Sequence, residues 1–165
     1  MGKLILGDGM YFNKIKYFRE NNELTQKEIA KMLKTSQSNY SRWENGKELI
    51  PLEKLNMFCN IFKTNMDYVL GITKNNAFNG IKSLNDLKIG FNLKKVRKDN
   101  NITQEQLSSF LNTSQSTICA YELGKTTLLT AFAIQIVYKY NISLEWLCGR
   151  KQNNKIDKKQ NMVKI

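Results

Sequence analysis

Leu24-Thr25-Gln26-Lys27-Glu28-Ile29-Ala30-Lys31-Met32-Leu33 is followed, after Lys34-Thr35, by Ser36-Gln37-Ser38-Asn39-Tyr40-Ser41-Arg42-Trp43-Glu44-Asn45-Gly46. This stretch decides the fold. Thr25 followed three residues later by Glu28 is a capping box, in which each side chain satisfies a backbone N–H that the first helical turn leaves open. Leu24 and Ile29 flank it as a hydrophobic staple. Ile29, Met32 and Leu33 then recur at helical spacing and are expected on one apolar helical face, and Leu107, Phe110 and Leu111 match them later in the chain. Ser36 caps a second helix, with Tyr40 and Trp43 facing inward, and Gly46 ends it as a left-handed residue. Two short helices joined by a turn of this length form a helix-turn-helix arrangement.

The same stretch occurs twice. Leu24-Thr25-Gln26 recurs as Ile102-Thr103-Gln104, and at the same offset Thr35-Ser36-Gln37-Ser38 recurs as Thr113-Ser114-Gln115-Ser116. Arg19, Glu44, Gly46-Lys47 and Gly71 meet Arg97, Glu122, Gly124-Lys125 and Gly149 without a gap. A fixed internal period marks repeated structural units. The reading is two copies of one domain, over residues 12–72 and 89–150. A polar linker (73–88, with a short helix around Ser83 to Lys88) joins them, and a basic tail (151–165) follows.

Outward from the motif, helices are expected over Phe12 to Asn22 and Phe91 to Asn100, with Ile15, Phe18, Leu93 and Val96 inward. Pro51 suits a first helical position and opens a helix to Phe62, matched by Thr130 to Tyr140. A last turn or two starts at Asn65 or Ser143 and closes at Gly71 or Gly149. No alternating pattern of a strand occurs, so the expected fold is all-α, two tandem five-helix domains. About 60 residues each is near the lower limit for independent folding.

Composition excludes several function classes. The chain has 165 residues, no histidine and three cysteines. Cys59, Cys119 and Cys148 are odd in number and far apart, which does not suit a disulfide framework. Without histidine, the commonest metal ligand and the usual general base near neutral pH are both missing. No enzymatic activity, metal or cofactor is expected. No apolar run approaches the roughly 20 residues of a membrane span, and Leu4-Ile5-Leu6 is too short for a signal-peptide core. A cytoplasmic protein without a membrane partner is expected. The net charge of +12 favours a polyanionic partner, because neutralised phosphates release counterions. Lys14–Thr73 holds ten basic and seven acidic side chains, Leu93–Arg150 seven and four. Half of the excess therefore lies in the termini and linker. The wealth of Asn, Lys and Ile suits an AT-rich bacterial genome.

These motifs resemble the Cro/phage-repressor helix-turn-helix family, often called XRE, over both copies and roughly 120 residues. The resemblance implies lambda-repressor-like domains that bind double-stranded DNA as a transcriptional regulator, most simply a repressor acting by occupancy. There are departures from the family pattern. Lys34 and Asn112 stand where the family usually has a turn glycine, and Ser108 stands where it usually has alanine, as at Ala30.

In this docking mode the N-terminal residues of the second helix reach base edges in the major groove. These are Gln37, Ser38 and Asn39, and Gln115, Ser116 and Thr117. A glutamine can bond adenine N6 and N7 together, so half-sites with A·T pairs are expected. Gln26 and Gln104 are implied phosphate contacts at a helix N-terminus. Arg42 projects outward one turn beyond Ser38, opposite Ala120 in the second copy. Lys47 and Lys125 are candidate phosphate clamps. The bland reading for each is a solvated polar side chain. Arg19 with Glu44, and Arg97 with Glu122, read as structural ion pairs, and Trp43, Tyr68, Tyr121 and Trp146 as core. The divergence of Asn39 from Thr117 and of Arg42 from Ala120 implies related but non-identical half-sites, with stronger phosphate contact by the first copy.

A 16-residue linker spans at most roughly 55 Å, more than the about 34 Å between half-sites one DNA turn apart. One chain can then act as a covalent pseudo-dimer, with avidity raised by about 10²–10⁴. A homodimer is the other arrangement. The rival function is a protein-interaction or antitoxin-like control module on the same fold. In the second copy Leu123 replaces Asn45, and Thr127-Leu128-Leu129 gives a more apolar exposed edge, which points that way.

Overall fold

The computed structural model describes residues 10–156, with side chains from Asn13 onward. The chain divides into two units, one ending at Gly80 and one running from Ile81 to Ile156. The first holds α1 (Met10–Asn21), α2 (Gln26–Met32), α3 (Gln37–Glu44), α4 (Leu52–Ile61) and α5 (Met66–Val69). The second holds α6 (Asp86–Asp99), α7 (Gln104–Leu111), α8 (Gln115–Glu122), α9 (Thr130–Tyr140) and α10 (Leu144–Leu147). No strand occurs among the described residues. Each unit is the five-helix all-α domain that the sequence patterns call for.

The helices start where side chains satisfy open N–H groups. Thr25, Ser36 and Asn65 cap α2, α3 and α5, and Thr103, Ser114 and Ser143 cap α7, α8 and α10. They stop at left-handed residues. Glu23, Lys34, Gly46, Lys63 and Gly71 all have positive φ, and so do Asn101, Asn112, Gly124, Asn141 and Gly149 at the same offset. At each, the next N–H reaches back to a carbonyl five residues earlier, as in Thr35 N to Ala30 O and Thr113 N to Ser108 O, both 2.9 Å. This is the Schellman closure, which satisfies the last carbonyls and reverses the chain within two residues. Five such stops per unit explain how about 60 residues hold five helices.

The first core gathers Ile15, Ile29, Leu33, Tyr40, Leu55, Phe58 and Met66, each fully buried. Phe18 packs beside it against Phe58 and Phe62, with ring centroids 5.7 and 5.5 Å away. The second core gathers Leu93, Leu107, Ile118, Ile136, Val137 and Leu147. There α6 lies close on the end of α8. A Cβ on Gly90 would sit 2.3 Å from the Tyr121 carbonyl oxygen, so only glycine permits that approach.

Three details depart from the sequence reading. Met32 and Phe110 do not face inward; they are 42% and 39% exposed. The buried stripe is Ile29, Ala30 and Leu33, and Leu107, Ser108 and Leu111 in the second unit. At 100° per residue the centre of that stripe lies about 107° from Met32 or Phe110. Leu128, expected on an exposed edge, is buried, whereas Leu129 is exposed. Finally, α6 runs unbroken from Asp86, capped by Asn85 (Lys88 N to Asn85 Oδ1, 3.1 Å). The short helix read around Ser83 to Lys88 and the helix read from Phe91 are one element, because an interior glycine costs a helix only about 1 kcal/mol.

Residues after each closing glycine strap back onto the cap of the last helix. Asn65 Nδ2 donates to the carbonyls of Asn75 (3.0 Å) and Ala77 (2.9 Å), and Thr64 Oγ1 bonds Asn76 Oδ1. In the second unit Ser143 N donates to Asn154 O at 2.9 Å. The internal repeat thus continues into Asn75-Asn76 and Asn153-Asn154, a signal that domain ends at 72 and 150 leave out. The tail beyond Ile156 lies outside the described residues.

Candidate nucleic-acid interface

The turn between α2 and α3 passes through Lys34 at φ 51°, and that between α7 and α8 through Asn112 at φ 51°. The left-handed conformation is therefore kept without the glycine. Asn adopts it readily; lysine adopts it at a steric cost of about 1–2 kcal/mol. The capping boxes hold the entry to the motif. Thr25 N donates to Glu28 Oε2 (2.8 Å) and Glu28 N to Thr25 Oγ1 (3.2 Å). Thr103 and Gln106 repeat the exchange at 2.8 and 3.1 Å.

Beneath the motif a bidentate ion pair ties the first helix to the third. Arg19 Nε and Nη2 each donate to the Glu44 carboxylate at 2.8 Å, and Nη1 donates to Leu24 O at 2.9 Å. Arg97 does the same with Glu122 at 2.6 and 2.9 Å, and with Ile102 O at 3.2 Å. Burial pushes both glutamate carboxyls up, but their arginine and glutamine hydrogen bonds outweigh it and hold them below the usual carboxylate range. The arginines are pushed up in turn by those same hydrogen bonds.

The network reaches the surface through two of the expected contact residues. Gln26 Nε2 donates to Glu44 Oε1 (3.3 Å), and Gln104 Nε2 donates to Glu122 Oε2 (2.9 Å). Each glutamine amide has two N–H groups, so one anchors the side chain and the other is left for an outside acceptor. Sequence spacing alone did not couple Gln26 to Glu44.

On the second helix, Gln37, Ser38 and Asn39 are all exposed, as are Gln115 and Ser116, while Thr117 is half-buried. The surroundings differ. Asn39 Nδ2 lies 3.4 Å from Thr35 Oγ1. In the second unit Ser114 Oγ gathers the hydroxyls of Ser116 and Thr117, both at 2.8 Å. Arg42 is exposed and paired with Glu48 (3.1 Å). Lys47 and Lys125 are exposed and fixed just past the helix by their own N–H, which bonds Arg42 O (2.8 Å) and Ala120 O (3.0 Å). The expected site residues thus lie on the exposed side of each motif, apart from the half-buried Thr117 and the anchored glutamines. Two residues that the motif reading left out, Lys94 and Lys98, line one cleft with Gln104 and Gln115.

A short capped helix, a left-handed turn and a second capped helix presenting amide side chains define a helix-turn-helix domain, and the chain holds two in tandem. Residues 15–69 match the family described as Helix-turn-helix, and residues 90–152 match that described as Helix-turn-helix domain. Both domains are of the kind typical of XRE-type regulators. An uncharacterized HTH-type transcriptional regulator, YobD, of Bacillus subtilis (strain 168) is 28% identical over 64 residues, 39% of this chain and 57% of that protein. The chain thus matches little more than half the length of this curated relative. No solved structure matches. Among the described residues no helix is long and apolar enough to cross a membrane.

Proposed function

We propose that the protein is a sequence-specific double-stranded DNA-binding transcriptional regulator of the cytoplasm, without enzymatic activity, that represses by occupancy. The reading places α3 and α8 in the major groove, with Gln37 and Gln115 at base edges and Gln26, Gln104, Lys47 and Lys125 on phosphates. One observation carries it. Gln37 and Gln115 stand at the first helical position after a serine cap, exposed, in both domains. A structural role would not need an exposed amide there twice.

Selection of bound sequences from a random duplex pool gives the operator. Gln37→Ala and Gln115→Ala are then each expected to lose about 1–3 kcal/mol of discrimination. The loss should fall at one half-site per variant, with unfolding unchanged. Loss of neither preference would overturn base reading by these helices.

The pseudo-dimer arrangement draws support from the straps. With Ala77 held to Asn65 and Asn85 capping α6, the connecting stretch is residues 78–84. Its extended reach is about 27 Å. Added to the width of a domain, about 25 Å, that joins half-sites about 34 Å apart. A dimer of chains in size-exclusion without DNA would count against it. A second reading is favoured by Leu87, Phe91, Leu123 and Leu129 of the second domain, all more than half exposed. Their counterparts in the first include Asn13, Asn45 and Pro51. On this reading the second domain docks a protein, and Gln115→Ala leaves the DNA preference unchanged.

A further inference from the structure

The cleft that brings Lys94 and Lys98 beside Gln104 and Gln115 has no equivalent charge in the first domain. Lys94 and Lys98 are exposed on α6, one turn apart, on either side of the buried Arg97. Neither is held in an ion pair among the described residues, whereas the neighbouring Lys95 is tied to Asp99 at 3.0 Å. At the matching positions the first domain has Lys16, Glu20 and, in place of Asn101, Glu23. Lys16 is paired there with Glu20 at 3.7 Å. The wall beside the motif is thus doubly positive in the second domain and singly negative in the first.

Resting on the DNA-binding reading above, we propose that this cleft is a phosphodiester-backbone subsite particular to the second domain. Gln115, on the helix that would meet base pairs, lines the cleft together with Gln104, Lys94 and Lys98, which supply its outward polar groups, and with Arg97 and residues 101–103. The sugar-phosphate strand bordering a major groove runs alongside a helix lying in it, so the strand flanking Gln115 passes over these lysines. Arg42 does not balance this in the first domain, because Glu48 neutralises it locally. The cleft therefore adds a sequence-independent contribution to the second domain that its first-domain counterpart lacks, against the weighting expected from Arg42 and Ala120.

The test uses the full chain and a short mixed-sequence duplex, on which binding is almost wholly backbone electrostatics. Affinity is followed from about 50 to 200 mM salt, where each neutralised phosphate contributes about 0.9 to the slope of log K against log salt. Lys94→Gln with Lys98→Gln is expected to flatten that slope by about 2. Lys95→Gln with Lys139→Gln, which removes equal charge away from the cleft, should leave it within about 0.5. Equal flattening by both pairs would reduce the effect to net charge and overturn the subsite. So would an unchanged slope in the cleft variant while the unaltered protein binds the duplex. If the unaltered protein shows no salt-dependent binding to any duplex, the DNA-binding reading fails, and the subsite with it.

Discussion

The two domains share a backbone plan and solve it with different residues. Their left-handed helix ends fall at the same five places, two of them glycine in both. At the other three the second domain uses asparagine each time (Asn101, Asn112, Asn141), and the first uses Glu23, Lys34 and Lys63. Asparagine tolerates that conformation because its short amide bonds locally, whereas long side chains pay for the crowding of Cβ against the following carbonyl. The second domain is thus the less strained copy at its turns. It also carries the more cationic cleft wall and the more apolar exposed patches. The first has a more aromatic core, with Phe18 in ring contact with Phe58, Phe62 and Tyr68, and Phe58 with Phe62. The same topology is reached by packing in one half and by better turn chemistry in the other.

The largest break in this comparison should come from Gly90→Ala. Its Cβ meets the backbone oxygens of Tyr121 and Glu122 at 2.3 and 2.7 Å, atoms that cannot move aside without shifting α8. A loss above about 3 kcal/mol is expected. In calorimetry it should lower one transition, that of the second domain, and leave the first in place. A single shifted transition for the whole chain would show that the domains unfold together.

Next in size are the ion pairs beneath the motifs. Glu44→Ala leaves Arg19 without its buried partner, and Glu122→Ala does the same to Arg97, each at a cost of about 3–5 kcal/mol. Both glutamates have folded pKa values below their ordinary one. Their contribution is therefore complete above about pH 4.3, the unfolded value, and is lost as pH falls through the lowered folded value. With no histidine in the chain, stability between about pH 6 and 8 should be nearly flat. Denaturant titrations from well below about pH 4.3 up to about pH 8 check both statements. Retention of the acid-induced loss in Glu44→Gln with Glu122→Gln would assign it to other carboxylates.

The smallest change sharpens the contrast by erasing it. Lys34→Asn and Lys63→Asn give the first domain the turn residues of the second, and each should recover part of the about 1–2 kcal/mol that a left-handed lysine costs. Chemical denaturation would register the gain. If Asn112→Lys in the second domain costs nothing, turn strain does not distinguish the two copies.

Most of the fold was legible because it is locally encoded. Thr25 finds Glu28, Ser36 finds the N–H of Asn39, and Gly46 turns the chain back on Arg42, all within five residues. The repeat doubled each of those signals, and Arg19 with Glu44 followed from family spacing. The candidate surface was legible as positions on α3 and α8. Its anchoring was not, since the link from Gln26 to Glu44 depends on how two helices cross.

By itself, then, the sequence determined where each helix begins and ends, that the unit occurs twice, and which amides stand first on the exposed second helix. These rest on bonds between near neighbours in the chain, so they are written locally, although helices this short need the core to hold them. Only the packed structure decided that Met32 and Phe110 face out, that Asn75 and Asn154 close their domains, and that Lys94 and Gln115 line one cleft. Those outcomes depend on helix rotation and crossing, which are set by how a whole core fills its volume, and no short stretch of residues carries that information.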